Sequence, residues 1–233
     1  MVQIMKRLRI FGDSIMKGVV YRGQDKRYVK VDSYDVARLG SSLGYDVYNS
    51  SIFGCTVTKG LQQLQRAIQN GLACDYALVE YGGNDCDFLW DEIASNPFID
   101  HQPKTPLPVF DTTLRSMVEL LKQNGITPIL MNLPPIDSSR YLNHICRNGL
   151  DKNRILEWLY DENNIERHQE LYSLRISKVS VETNTNLIDI RSGFLARKDC
   201  AHLICEDGIH PSETGYALIA QLLSEYHSAK ATA

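Results

Sequence analysis

The chain has 233 residues, 43% of them hydrophobic and 23% charged, with a formal net charge of −3. These values fit one α/β domain spanning residues 1–233, with a core large enough to need no metal or crosslink. A slightly acidic chain advertises no surface for nucleic acid or an anionic membrane, so neither is expected as a partner.

The basic N-terminal stretch, residues 1–9, has neither the apolar run nor the small-residue cleavage site of a signal peptide. No stretch is apolar for long enough to span a bilayer. Short β-type runs then alternate with helical periods. The first strand is predicted at 8–11 and ends at Gly12. Val36, Leu39 and Leu43 mark a helix closed by Gly44, and 45–49 forms a second strand. Leu61, Leu64 and Ile68 repeat the helical spacing up to Gly71, and a third strand covers 76–80. Leu114, Met117, Val118 and Leu121 share one helical face before Gly125, followed by a fourth strand at 126–132. A polar, helix-prone stretch at 152–180 leads to a fifth strand at 187–189. Pro211 then opens a helix with Ile219, Leu222, Leu223 and Tyr226 on its apolar face. Five such runs alternating with helices imply a parallel sheet covered on both faces, with ligands bound at the strands' carboxyl ends. The scattered cysteines, Cys55, Cys74, Cys86, Cys146, Cys200 and Cys205, lack a paired framework. Read as reduced thiols, they suit a cytoplasmic protein.

Chemistry is therefore sought just after each strand. Gly12-Asp13-Ser14-Ile15 follows the first: glycine permits a sharp turn that projects the serine hydroxyl, and a following helical turn would aim N–H groups at a developing anion. Alone, the tetrapeptide also fits a polar capping turn. Gly54, after the second strand, leaves its N–H open to a ligand atom, or simply occupies a left-handed turn position. Gly82-Gly83-Asn84-Asp85 follows the third, where Asn84 offers a neutral donor suited to an oxyanion hole. Near the C-terminus, Asp207-Gly208-Ile209-His210 places a carboxylate and an imidazole within one turn. Such a carboxylate can fix the histidine tautomer and leave Nε2 free to take a proton. Together these segments supply nucleophile, base, orienting acid and oxyanion donors.

With these four blocks the chain resembles the SGNH hydrolases, also called GDSL esterases and lipases. Gly12-Asp13-Ser14-Ile15 is similar to block one, with Ile15 in place of the usual leucine. Gly54 resembles the block-two glycine, Gly82-Gly83-Asn84-Asp85 the G-x-N-D block, and Asp207-Gly208-Ile209-His210 the D-x-x-H block. The resemblance implies a flavodoxin-like three-layer α/β/α fold with a five-stranded parallel sheet. It implies Ser14 as nucleophile, His210 as base and Asp207 as its partner, with Ser14, Gly54 and Asn84 forming the oxyanion hole. Esters and thioesters are the family's substrates, and no cofactor is needed.

A long loop insertion at 86–110, rich in aromatics and prolines, rises beside Asn84 and is expected to shape the acyl or alcohol pocket. Asp85, Phe88 and Trp90 are candidate substrate contacts. The expected activity is hydrolysis of a small acyl ester, acetyl on a carbohydrate being the first choice because no apolar channel is evident in the sequence. A lysophospholipase, thioesterase or acyltransferase is the alternative on the same scaffold. Cys200, His202, Cys205 and His210 invite a zinc reading, but their spacings do not match the usual metal patterns. A flavin- or nucleotide-binding module lacks its phosphate-binding motif. His101, His144, His168, His202 and His227 have no partner pattern and are assigned surface or structural roles.

Overall fold

Strand β1 (Lys6–Phe11) ends in Ile10 and Phe11, both fully buried and belonging to hydrophobic clusters on opposite faces of one sheet. The computed structural model describes residues 5–231, so residues 1–4 of the basic N-terminal stretch lie outside the described residues. The sheet also contains β4 (Tyr45–Asn49), β5 (Tyr76–Val79), β6 (Thr127–Met131) and β7 (Asn186–Ile188), in the order β4-β1-β5-β6-β7. All four pairings are parallel. This is the doubly wound, flavodoxin-like order, whose switch point falls between β1 and β5.

Side chains alternate along each strand, so Leu78, Ile129 and Met131 face one layer while Ala77, Val79 and Leu130 face the other. The second layer is closed by α2 (Val57–Gln69), α4 (Leu107–Gln123) and α7 (Asn164–Glu182) through Leu64, Phe110, Leu114, Met117 and Tyr172. The first is closed by α1 (Val36–Ser42), α8 (Ile190–Leu195) and α9 (Glu213–Ala231), with Phe194, Tyr216 and Ile219 at its centre. Among the described residues no helix is long and apolar enough to cross a membrane.

After Ser14 the chain makes the expected helical turn, with Lys17 N–H to Asp13 O at 3.2 Å. It then enters an antiparallel hairpin, β2 (Val19–Arg22) with β3 (Arg27–Lys30). Two expectations need correction. The 152–180 stretch is two helices: α6 (Lys152–Leu159) stops at Tyr160, whose φ of 61° no helix tolerates, and α7 starts at Asn164. The 86–110 segment is not irregular throughout. It holds α3 (Trp90–Ser95) and the first turn of α4, which begins at Leu107 with a proline in its first turn. With α5 (Ser138–Cys146) and α6 it builds a third hydrophobic cluster, including Phe88, Trp90, Tyr141, Ile155 and Ile165. That cluster caps the carboxyl end of the sheet.

Candidate active site

The loop after β1 is held from below and from the side. Asp13 Oδ1 accepts the Ile15 N–H at 2.9 Å, and Oδ2 accepts the Asn84 side-chain amide at 2.8 Å, so the turns after β1 and β5 are tied across the switch point. The Tyr216 hydroxyl, rising from α9, donates to Val19 O at 2.8 Å and fixes the chain leaving Ser14. Ser14 itself is 6% exposed.

The Asp207–His210 turn arrives from the far end of the chain. Cys205 N–H bonds to His210 O at 2.8 Å, and Asp137 N–H to Gly208 O at 2.8 Å, which docks the turn on the start of α5. Gly208 has φ +80°, and a Cβ there would lie 2.4 Å from Tyr141 N, so only glycine fits. Asp207, fully buried, accepts the N–H groups of Ile209 and His210, each at 3.2 Å, through Oδ1. Its Oδ2 stands 2.6 Å from His210 Nδ1. With that carboxylate as acceptor, Nδ1 carries the proton, and Nε2 lies 3.0 Å from Ser14 Oγ as acceptor. Residues 196 positions apart in the chain thus form one serine–histidine–aspartate relay.

A cavity of about 480 Å³ opens over this relay. Its polar edge includes Asp13, Ser14, Asn84 and His210, and its wall is mostly apolar, with Phe88, Leu133, Ile136, Ile145 and Ile165. Asp87 knits one side of the wall together: it accepts from the Trp90 indole at 2.8 Å, the Tyr141 hydroxyl at 2.6 Å and Lys104 at 2.7 Å. Over the other side lies Tyr28 of β3, its ring 5.1 Å from that of His210 and its hydroxyl 3.0 Å from His144 Nε2. Burial lowers the His144 pKa, so this imidazole is neutral near pH 7.

The segment from residue 10 to residue 218 matches the profile of the GDSL-like lipase/acylhydrolase family. The chain belongs to that family. Membership makes it a hydrolase of carboxylic esters and small esters its substrates. No protein of curated function matches the chain in sequence. Solved structures with the same fold include a lipase/acylhydrolase from Enterococcus faecalis (20% identity, 97% of each chain, TM-score 0.62). Another is an acetyl xylan esterase from Geobacillus stearothermophilus (21% identity, 95% of this chain and 94% of that one, TM-score 0.65). A third is a psychrotrophic esterase from Pseudoalteromonas sp. (17% identity, 98% and 100%, TM-score 0.63).

The GDSL fold brings Ser14, Asn84 and His210 to one cavity, with Phe88 and Trp90 in its wall and Asp207 buried behind His210. Gly54 sits beside it: it is exposed, with φ +69°, in a turn tied to the Ser14 loop by Ile52 N–H to Gly12 O at 3.0 Å. Phe53, its neighbour, does line the cavity. Asp85 does not. It is fully buried, both its oxygens accept the Val57 N–H at 3.0 and 3.1 Å, and it therefore anchors the start of α2 instead of touching substrate. Burial pushes its carboxyl up to about 7. His144 and His168, assigned structural or surface roles, both line the cavity.

Among the described residues no group of three or more His, Cys, Asp and Glu side chains is placed to hold a metal. Cys205 Sγ instead contacts Pro211 O at 3.2 Å. Tyr28 and Asp87 were missed. A signal for each exists: short β-type runs flank the polar Gly23-Gln24-Asp25-Lys26 turn, and Asp87 follows Asn84 by three residues.

Proposed function

We propose that the enzyme cleaves its ester through an acyl-enzyme on Ser14. The observation carrying this reading is the pair of contacts through His210, 3.0 Å to Ser14 Oγ and 2.6 Å to Asp207. Ser14 Oγ attacks the carbonyl carbon as His210 Nε2 takes its proton. Asp207, accepting from Nδ1, steadies the imidazolium. The oxyanion is held by the Asn84 side chain and by the Ser14 and Gly54 amides. Supporting this, Asn84 commits one amide hydrogen to Asp13, leaving the second available, and among the described residues the two backbone amides donate to no protein acceptor. His210 then protonates the leaving alcohol, and water activated by the same histidine releases the acid.

Acetyl esters, the first choice from sequence, fit this site. The apolar wall favours the second reading, a longer acyl chain as in a thioesterase or lysophospholipase. Each methylene buried there is worth about 0.8 kcal/mol, roughly a fourfold gain in kcat/KM. The test is turnover of p-nitrophenyl esters from C2 to C16, with a fluorophosphonate label mapped by mass spectrometry. The reading requires the label on Ser14 and a rate that climbs beyond C2. A label elsewhere, or full turnover by a folded Ser14→Ala protein, ends it. Free acid as product, in the presence of excess alcohol, separates hydrolysis from acyl transfer.

A further inference from the structure

Glu80 follows the last residue of β5, in the middle of the sheet, and is fully buried. A central parallel strand has no ordinary use for a carboxyl at that place. This one lies directly behind the nucleophile loop. Its Oε2 accepts the Asp13 N–H at 3.2 Å, and a Cβ added at Gly12 would stand 3.0 Å from the same oxygen. The two carboxyl groups also act on each other: the Asp13 carboxylate raises Glu80, and Glu80 in return lowers Asp13. Asp13 is 1% exposed, and among the described residues no lysine or arginine pairs with either group.

We propose that Glu80 and Asp13 hold one proton between them, with Glu80 as the neutral acid, and that Glu80 is thereby a positioning residue for the ester-cleaving site. The proposal rests on the reading of Ser14 and Asn84 given above. Two ionised carboxylates in contact, dry and without a cation, repel strongly. One shared proton turns the contact into a charge-assisted hydrogen bond. Glu80 Oε1 has no hydrogen-bond partner, so no donor there favours the ionised form. Burial drives both carboxyls upward, Glu80 well above the usual carboxylate range.

The consequence reaches the reacting atoms through Asp13. Anchored by Glu80, Asp13 keeps its other lone pairs for the Asn84 amide at 2.8 Å and the Ile15 N–H at 2.9 Å. One side chain therefore orients both the oxyanion donor and the backbone that carries the nucleophile. Its carboxylate also lies within electrostatic reach of His210.

Three measurements on the full-length enzyme test this. Infrared spectra of the wild type at pH 7 should contain the carbonyl stretch of a protonated carboxylic acid, and Glu80→Gln should remove the part of it that persists in Asp85→Asn. Glu80→Gln, whose amide still donates to Asp13 and still accepts its N–H, should keep kcat within about threefold, whereas Glu80→Met should lose on the order of 10- to 100-fold in kcat with KM little changed. In an Asn84→Ala background, Glu80→Met should cost less than it does in the wild type, because one of the two groups it positions is already gone. A wild type without the protonated-acid band overturns the shared proton. Full kcat in Glu80→Met, equal losses in the two Glu80 variants, or additive losses with Asn84→Ala overturn the positioning role. Should Glu80→Met fail to fold, the band and Glu80→Gln still decide. Fluorophosphonate labelling of Ser14 is independent of all three, so failure here is distinct from failure of the acyl-enzyme reading.

Discussion

The two ends of the central sheet each carry a cavity, and only one is equipped for chemistry. At the carboxyl ends of the strands lies the space of about 480 Å³ over Ser14 and His210. Toward the amino ends, on one face of the sheet, a cleft of about 360 Å³ opens between α1 and α9, floored by Ile10, Leu78, Ile129 and Ile188. The cleft exists because α1, seven residues long, is too short to cover its side of the sheet. Its polar residues, such as Asn186, His227 and Lys230, form no nucleophile–base contact. Volume and apolar lining are thus shared by both ends. What separates them is loop architecture: at the carboxyl end, turns after β1 and β5 and a turn before α9 converge, each stiffened by its own hydrogen bonds.

The strongest test of that contrast is Ser14→Ala. It should leave the fold intact, by circular dichroism and thermal melting, and lower kcat for a p-nitrophenyl ester by about 10⁴-fold or more. Asn84→Ala comes next, with an expected loss of about 10²–10³ in kcat. A change confined to KM would make Asn84 a binding residue. Ile165→Trp should narrow the cavity beside Phe88, cutting kcat/KM for a C8 ester by roughly tenfold while leaving C2 within about twofold. Chain-length profiles measure this directly.

At the inert end, Leu223→Phe should fill part of the cleft and raise stability by about 0.5–1 kcal/mol, with the chain-length profile unmoved. A shifted profile would mean that the two ends communicate, and the contrast would fail. The smallest effect concerns Asp85. Between the ordinary aspartate value and about 7, native Asp85 keeps a proton that the unfolded chain has released. Stability therefore falls as pH rises through that window, by on the order of 1 kcal/mol per unit from this group. Urea melts from pH 4 to pH 7 should give a shallower slope in Asp85→Asn. Some slope should remain, because Asp13 and Glu80 are shifted in the same direction.

The sheet and the relay were legible from residue order because both rest on local rules. Strand runs at 8–11, 45–49, 76–80, 126–132 and 187–189 differ from the observed strands by at most two residues at either end. Gly12, Asn84 and the Asp207–His210 turn follow directly from the requirement that turns at strand ends admit glycine and aim polar groups outward. Tertiary structure alone decided the rest. Asp85 stands next to Asn84 in sequence yet turns inward to anchor α2, since successive residues of the tight turn at 83–85 point in different directions. The apolar wall is drawn from α3, α5 and α7, elements with no sequence proximity to Ser14. Glu80 reads as one polar residue ending a strand until Asp13 is found against it. A carboxyl's role is set by what shares its dry surroundings, and that is a property of the packed molecule rather than of any segment.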